Sequence, residues 1–302
     1  MLGKVFVLQI HLPDNKIVMD KIKLCFELLL ELLCLKRLNL GYRDITPKNR
    51  TAVTDHSLLI CLHEWGGYPL VRYKHINSTI RDWQCGLEYQ LERFEEYRGE
   101  VPLDLTITIS EVFRCRDLSH IARHSNRIIP VSNRGMDFAG YAAFYESKRG
   151  AKNCYVLLTN SSVSSLKRDF IDSYIAYMEH NTDIGMLGIS CCSTCYQSFV
   201  INNFTPHLQS FFLLTTLAVL DEVVALNGGN FPGVGVVNKQ LLIRRGEIHL
   251  SQLVLRLGYK LAVVTESGVV KFDNNPDNWP LPWGDYRAYT LHPNAINTIR
   301  EI

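Results

Sequence analysis

Polar residues follow four apolar segments of the chain, and their types suit the binding of a nucleoside diphosphate. The four groups are His63-Glu64, Ser110-Glu111, Asn133-Arg134 and Thr159-Asn160-Ser161-Ser162. Such a ligand needs hydrogen-bonding partners for its base and ribose, and cationic or N–H partners for its phosphates. Arg134 could contact the phosphates and Glu111 the base or ribose. Each residue could also be an ordinary loop residue in solvent, so the repetition at four segment ends is the stronger signal.

The segments themselves predict an open, mostly parallel α/β sheet. Leu58 to Leu62 is a short apolar run that suits a buried strand, and Leu103 to Ile109 alternates and is rich in β-branched residues. The other predicted strands are Arg127 to Val131, Cys154 to Leu158, Ile184 to Ser190 and Tyr259 to Thr265. Because such sheets bind ligands outside the carboxyl ends of their strands, the four polar groups are expected to line one rim.

The spacing of apolar residues predicts helices between most of these strands. Ile80, Trp83, Leu87, Leu91 and Phe94 recur at intervals of three or four and predict a helix that ends near Gly99. The remaining predicted helices cover Asp117 to His124, Asp137 to Ser147, Asp169 to His180, Pro206 to about Asn227, and Glu247 to Leu257. Pro206 is well suited to a first helical turn.

Three motifs follow one another along residues 57–265. The first is Asn133-Arg134-Gly135-Met136-Asp137-Phe138, and the second is the segment Tyr155 to Ser162. The third pairs Pro206 to Phe212 with Gly246 to Ser251. They are similar to the N-x-G-R-D, N-D/S-S, H-L-Q-S-Y-F and G-E-x-x-L-S patterns of one enzyme family. The chain therefore resembles GT-A glycosyltransferases, in particular the rhamnan synthesis protein F-like group of bacterial polysaccharide enzymes.

This resemblance implies a GT-A-like, Rossmann-type sheet and an enzyme of the hexosyltransferase or rhamnosyltransferase type. It would move a sugar from a nucleotide-sugar donor to a glycan or lipid-linked acceptor, in polysaccharide or glycoconjugate biosynthesis. The residues then expected to bind the donor are His63, Glu64, Ser110, Glu111, Asn133, Arg134, Gly135, Asp137, Asn160, Ser161 and Ser162.

Glu247 stands where the family's inverting enzymes carry the carboxylate that deprotonates the acceptor. A sugar hydroxyl is a poor nucleophile until a base within about 3 Å takes its proton. Glu247 could instead be a glutamate in the first turn of a helix, favoured there by the helix dipole and without a catalytic role. His207 is an alternative base, since its reference pKa of about 6.5 suits proton transfer near neutrality. His207, Gln209 and His249 are expected to contact the acceptor, or to serve only in capping and packing.

The chain departs from the family at the segment Asn160-Ser161-Ser162, which replaces a metal-binding D-x-D. Neutral oxygens alone bind Mn²⁺ or Mg²⁺ poorly, so we expect no cofactor, with cationic side chains such as Arg134 neutralising the diphosphate. Asp137 could instead help to hold a metal from the neighbouring loop. A non-catalytic nucleotide- or glycan-binding module on the same fold is the alternative function. A hydrolase or metalloenzyme that uses the cysteines and histidines is a third.

The 302 residues suffice for one large domain with a sizeable core. Residues 1–56 are predicted to form a strand-helix extension that contains a strand from Lys4 to His11. Residues 57–302 are expected to form the GT-A-like domain, with a nucleotide-binding half at 57–163 and an acceptor half with a C-terminal cap at 164–302. The net charge of +2 is too small to indicate a nucleic-acid partner.

Nine cysteines, mostly inside apolar runs, predict free buried thiols in a reducing compartment. Cys192 and Cys195 have a C-x-x-C spacing, but a second ligand pair at zinc-site spacing is missing. The apolar run from Leu24 to Leu35 contains two glutamates and is shorter than the ~20 residues that span a bilayer. It predicts a core helix, or one that rests on a membrane or partner through residues 20–37. We therefore expect a cytoplasmic protein, free or at the inner face of a membrane.

Overall fold

The computed structural model describes residues 15–34, 45–74, 83–165, 169–195, 198–199, 204–265 and 268–273. The predicted strand from Lys4 to His11, the beginning of the helix predicted at Ile80, and the cap predicted from Asn274 lie outside these ranges.

Twelve strands are present in the described residues. They are β1 Leu58–Trp65, β2 Arg72–Lys74, β3 Trp83–Cys85, β4 Leu103–Ser110, β5 Arg127–Val131, β6 Tyr155–Asn160, β7 Ile184–Gly188, β8 Cys191–Cys192, β9 His207–Leu208, β10 Phe212–Thr216, β11 Lys260–Thr265 and β12 Gly268–Phe272. The six strands predicted for the sheet correspond to β1, β4, β5, β6, β7 and β11, and each begins within one residue of its predicted start.

Helix α1 precedes β1, and the other helices lie in connections between strands. They are α1 Asn15–Cys34, α2 Leu87–Glu95, α3 Leu118–Arg123, α4 Asp137–Lys148, α5 Ile171–His180, α6 Leu217–Leu226, α7 Lys239–Leu242 and α8 His249–Arg256. A 3₁₀ turn covers Val112–Arg114, and a π-helix, Ile243–Ile248, joins α7 to α8 without a break.

Eight strands form one open sheet in the order β12-β11-β7-β10-β6-β1-β4-β5. Strands β1, β4, β5 and β6 are parallel neighbours, and β7 is parallel to β11. Strand β10 runs antiparallel to both β6 and β7, and β12 is antiparallel to β11. The fold is therefore α/β with a large, mostly parallel sheet, as predicted.

Each face of the sheet has its own apolar core, because side chains alternate along each strand. In β1, Leu59 and Cys61 lie in one core with Tyr141 of α4. Leu58, Ile60 and Leu62 lie in the other core with residues of α2 and α5. Helices α4, α6 and α8 cover the first face, and α2, α3 and α5 cover the second. Among the described helices, none combines the length and apolarity needed to cross a bilayer.

Three helix predictions are wrong in their bounds. The apolar segment after Pro206 does not form one long helix: His207 and Leu208 form β9, Phe212 begins β10, and only the last part is helical, as α6. The reason is a run of buried apolar and threonine side chains in β10, which favours an interior strand. Trp83 lies in strand β3 rather than in a helix. The helix predicted to begin at Glu247 begins upstream at Lys239.

The described parts of the predicted N-terminal extension pack against the domain. The Lys48 N–H donates to the carbonyl of Gly258 at 2.9 Å, and the Arg50 N–H donates to the carbonyl of Thr182 at 2.8 Å. The Arg50 guanidinium also donates to the carbonyl of Met178, which lies in α5. These bonds fix residues 48–50 beside α5 and the α8–β11 connection.

The packing of α4 on the sheet requires a glycine at position 140. A Cβ atom there would overlap His63 Nδ1 and Thr108 Oγ1, which lie in β1 and β4. We predict that Gly140→Ala lowers the free energy of unfolding by about 1–3 kcal/mol, the usual effect of overpacking. Glu146→Ala, at an exposed position of the same helix, is the control. Chemical denaturation measures both. If α4 is not held this closely, Gly140→Ala will instead stabilise the protein by up to about 1 kcal/mol through helix propensity.

Candidate functional site

The carboxyl ends of β1, β4, β5 and β6 lie together at one edge of the sheet, which we call the rim. Trp65 at the end of β1 is beside Ser110 at the end of β4, and Ser110 is beside Val131 at the end of β5. On the other side of β1, His63 is beside Asn160. The four polar groups of the sequence therefore lie at, or directly after, the ends of adjacent strands.

Two loops at the rim contain strained backbone. Glu111 (φ 51°) follows β4, and Met136 (φ 47°) lies in the loop between β5 and α4. Within the described ranges, these are the two residues other than glycine with positive φ. Such conformations cost about 1–3 kcal/mol each and tend to cluster at functional sites. Both strained residues adjoin the polar groups of the rim.

Asp137 is the centre of the polar network at the rim. Asn160 Nδ2 donates to Asp137 Oδ2 at 2.7 Å, and His63 Nε2 lies 3.9 Å from Asp137 Oδ1. The Ser162 N–H donates to Asn160 Oδ1 at 2.9 Å, which closes a turn after β6. His63 and Asn160 thus lie beside Asp137, and Ser162 bonds to Asn160.

A second network joins β1 to the loop after β6. Arg72 donates from Nη1 to Glu64 Oε2 at 3.0 Å and from Nη2 to Ser161 Oγ at 2.6 Å. Its guanidinium also stacks over the ring of Tyr68, 4.2 Å from the centroid. Burial raises the pKa of Glu64, although Arg72 opposes the shift. Arg72 was not predicted to belong to the site, because it stands in a short hairpin strand that carries no motif.

Lys74, in the same hairpin, brings a second cation to the rim. Its ammonium lies 5.8 Å from the centroid of the Trp83 ring. Burial lowers the pKa of Lys74, the Asp137 carboxylate raises it, and the nearby charges of Arg72 and Lys239 lower it. Lys74 is therefore placed among two further cations and one carboxylate. Sequence reasoning missed this residue too, although it alternates with Arg72 along β2.

Ser110 and Glu111 interact with the protein itself. Ser110 is fully buried, and its carbonyl accepts from the Gly66 N–H at 2.8 Å. Glu111 Oε2 accepts from Trp65 Nε1 at 3.0 Å and from Arg114 Nε at 2.8 Å. These bonds hold the loops after β1 and β4 against each other.

The loop from Asn133 to Met136 is a tight turn, and glycine at position 135 has a structural reason. The Met136 N–H donates to the carbonyl of Asn133 at 3.2 Å. Gly135 has a φ of 109°, which other residues rarely adopt. Asn133 and Arg134 are exposed beside this turn.

Glu247 lies inside the π-helix, in the middle of a continuous helical segment from Lys239 to Arg256. The predicted position of Glu247 in a first helical turn is therefore wrong. Its side chain is 15% exposed, and its Oε2 accepts from the Ser210 N–H at 2.7 Å. Single π-helical turns within α-helices occur frequently at functional sites.

His207 faces Glu247 as a neutral imidazole. Its Nδ1 lies 2.6 Å from the Thr205 carbonyl, which can only accept, so Nδ1 carries a proton. Burial lowers the pKa of His207, while the Glu247 carboxylate raises it. The unprotonated Nε2 then stands 3.9 Å from Glu247 Oε1. Two acceptor atoms thus stand side by side, and an acceptor hydroxyl could donate its single proton to either of them.

The segment at Ser210 and Phe211 connects Glu247 to Asn160. The Asn160 N–H donates to the Phe211 carbonyl at 3.2 Å, and the preceding residue, Ser210, binds Glu247. The Tyr141 hydroxyl donates to the Ser210 carbonyl at 2.8 Å. Burial is the main cause that raises the pKa of Tyr141, and the charges of Asp137, Cys61 and Glu247 raise it further. Asn160 at the rim and Glu247 are therefore linked by one short segment of backbone.

Gln209 and His249, both predicted to contact the acceptor, have hydrogen-bond partners within the protein. The Gln209 N–H and side chain bond to Ser190 rather than standing in a helical first turn. His249 Nε2 lies 2.9 Å from Asn227 Oδ1 and lines a pocket of about 570 Å³ beside α1. Because His249 follows Glu247 by two helical residues, it faces a different side of the helix.

The donor set of the rim does not fit a D-x-D type metal site. Asn160 already donates to Asp137 and accepts from Ser162, and the end of β6 itself carries Asn160, Ser161 and Ser162 in place of carboxylates. In the part of the chain that the structure describes, no group of three or more His, Cys, Asp or Glu side chains is arranged to hold a metal ion, Cys192 and Cys195 included.

No protein-family model matches the chain, and no curated protein sequence shows detectable similarity to it. The indications of function are therefore those of the rim itself: strained loops, a buried carboxylate network, cations and a carboxylate in a π-helix.

Two buried histidines of this site predict a pH-dependent stability. Burial lowers the pKa of both His63 and His207 below the ordinary 6.5. As the pH falls through about 6.5, the unfolded chain binds protons that the folded chain does not, so the free energy of unfolding falls. Each histidine contributes up to about 1.4 kcal/mol per pH unit.

Denaturation between pH 7 and pH 5.5 measures this slope. We expect His63→Gln and His207→Gln each to reduce it, and His180→Gln, at an exposed position, to leave it unchanged. Equal slopes in all four proteins would show that neither histidine is held neutral by burial.

Proposed function

We propose that this chain is an inverting glycosyltransferase with a GT-A-like fold, which transfers a sugar from a nucleotide-sugar donor to a glycan or lipid-linked acceptor without a D-x-D metal. The observation that carries the proposal is the placement of Glu247. This carboxylate, in a π-helix, is connected through Ser210 and Phe211 to Asn160 at the edge where the donor would lie.

The topology supports the GT-A-like assignment. The rim is formed by the four parallel strands β5, β4, β1 and β6, and β10 enters antiparallel next to β6. The reversal brings residues 207–211 to the end of β6, where the nucleotide-binding half meets the half that carries Glu247. The strand order changes side between β1 and β6, because β4 and β5 lie on one side of β1 and β6 lies on the other. Ligands of open α/β sheets bind at such a switch point.

Cationic side chains supply the groups that a diphosphate requires. Arg72 is held at Ser161, and Lys74 stands in the field of Asp137 with Lys239 nearby. Their charges would stabilise the negative charge that develops on the leaving diphosphate. The sequence had pointed to Arg134 for this role, and the hairpin β2–β3 now supplies two further candidates.

The proposed reaction is a single displacement. Glu247 accepts the proton of the acceptor hydroxyl, and the hydroxyl oxygen forms a bond to the anomeric carbon from the face opposite the diphosphate. The bond from that carbon to the diphosphate oxygen breaks, and the nucleoside diphosphate leaves with the electron pair. His207, neutral and 3.9 Å away, keeps a second acceptor next to the base and adds no opposing positive charge.

A non-catalytic nucleotide-binding module is the second candidate, and one observation favours it. Glu247 is only 15% exposed and already accepts the Ser210 N–H. In that case its carboxylate serves to join the π-helix to the segment before β10, and donors bind without turnover.

Glu247→Gln separates these two functions. We expect the variant to bind nucleoside diphosphates like the original protein but to lose about 10²–10⁴-fold in turnover, the usual contribution of a general base. Glutamine keeps the size of the side chain and can still accept the Ser210 N–H. Release of nucleoside diphosphate from the donor measures turnover, and Glu146→Gln, at an exposed helix position, is the control. Unchanged turnover in Glu247→Gln would exclude this carboxylate as the base.

Lys74→Met tests the phosphate site. We expect affinity for nucleoside diphosphates to fall roughly tenfold or more, since a hydrogen bond to a charged group contributes about 1.5–3 kcal/mol. Affinity for the nucleoside without phosphates should not change. Lys152→Met removes an exposed lysine as the control, and calorimetric titration measures each affinity. An equal loss for nucleoside and nucleoside diphosphate would place Lys74 away from the phosphates.

A further inference from the structure

Helix α1 has its polarity reversed relative to a helix that packs on a core. Its acidic side chains face the protein, and its large apolar side chains face outward. The exposed apolar residues are Ile17, Val18, Met19, Ile22, Phe26, Leu29, Leu32 and Leu33, and Phe26 and Leu33 have exposed fractions of 59% and 72%. Leu24 is the apolar residue of α1 that is buried.

The inward face is attached by charge. Asp20 Oδ2 accepts from the Val237 N–H at 2.7 Å, and Glu31 pairs with Arg244. Glu27 accepts from Arg245 Nε at 2.9 Å. The acidic side chains of the described helix are thus all engaged with the protein, and Arg244 and Arg245 belong to the π-helix that carries Glu247.

The outward face combines apolar surface with positive charge. Lys21 and Lys23 are exposed, and they lie about 100° to either side of Ile22 around the helix. The apolar stripe of Val18, Ile22 and Leu29 therefore has a lysine along each border. Long lysine side chains in this position can place their ammonium groups at lipid headgroups while the apolar stripe enters the acyl boundary.

We propose that α1 lies flat on a membrane surface that carries anionic lipids. The charge distribution favours this occupant: lysines border the outward face of the described helix, and its carboxylates bond to the protein, with Asp20 also 3.8 Å from Lys23. Such a border of lysines complements a negative surface. A helix of 20 residues extends about 30 Å along such a surface. The proposal stands without the glycosyltransferase activity, although a lipid-linked acceptor would be presented at the same surface.

Flotation of the full chain with vesicles tests the proposal. We expect binding to vesicles of phosphatidylcholine with phosphatidylglycerol, and much weaker binding to phosphatidylcholine alone or at high salt. Leu29→Glu should weaken binding roughly tenfold or more, since it puts a charge into the acyl boundary. Leu118→Glu is the matched control, because Leu118 is similarly exposed on α3 at the opposite face of the sheet.

A second pair of variants tests the charges. Lys21→Glu should weaken binding to the anionic vesicles, and Lys152→Glu, at an exposed position away from α1, should not. This pair keeps the test decisive if Leu29→Glu fails to fold. Glu247→Gln should bind vesicles like the original protein, so that a loss of membrane binding can be distinguished from a loss of catalysis.

Two results would overturn the proposal. One is the absence of binding to the anionic vesicles, or binding that none of the α1 variants weakens. The other is a concentration-dependent dimer in light scattering that Leu29→Glu abolishes while vesicles are not bound, which would assign this face to a second copy of the chain.

Discussion

The hydrogen bond from Asn160 to Asp137 joins the end of β6 to the beginning of α4, and the rest of the site depends on it. Asp137 accepts this hydrogen bond through its carboxylate. Its position in the first turn of α4 suits a carboxylate, because the helix dipole favours negative charge there. Gly140 lets the same helix approach β1 and β4, so that His63 lies beside Asp137. Phe138, one residue further on, packs against Gly246 in the π-helix. One turn of α4 thus contacts both the end of β6 and the π-helix that carries Glu247.

The cationic side chains of the rim and the carboxylate of Glu247 lie on different sides of this turn of α4. The hairpin β2–β3 brings Arg72 and Lys74 to the outer side of the rim, whereas the carboxylate of Glu247 and the neutral His207 stand beyond Ser210. A transfer from a diphosphate to a hydroxyl needs this arrangement, since the leaving group gains negative charge while the nucleophile loses a proton. On the far side of the π-helix, Arg244 and Arg245 pair with acidic side chains of α1, whose outward face is apolar with lysines along its borders.

The sequence predicted the sheet better than the site. Strands with strong periodicity, such as β1 and β4, and the polar residues after them could be placed because burial dictates their pattern. The helix predicted from Pro206 was wrong because an apolar run does not distinguish a buried strand from a buried helix. Here residues 212–216 pair with β6 in the interior of the sheet and therefore form a strand. Arg72 and Lys74 were missed because their role arises from tertiary contacts of a three-residue strand. For α1 the sequence left two possibilities, a core helix or one resting on a membrane or partner, because composition does not tell which face a helix buries.

The central claim is sugar transfer from a nucleotide donor at a rim without a D-x-D. The most direct measurement is the release of nucleoside diphosphate from uridine, guanosine and thymidine diphosphate sugars, in EDTA and in Mn²⁺, with sugar hydroxyl acceptors present. Glycosyl transfer with an inverted anomeric centre, at equal rates in EDTA and in Mn²⁺, is the predicted result. Tight binding of a nucleoside diphosphate without turnover of any donor, or turnover that requires Mn²⁺, would contradict the account.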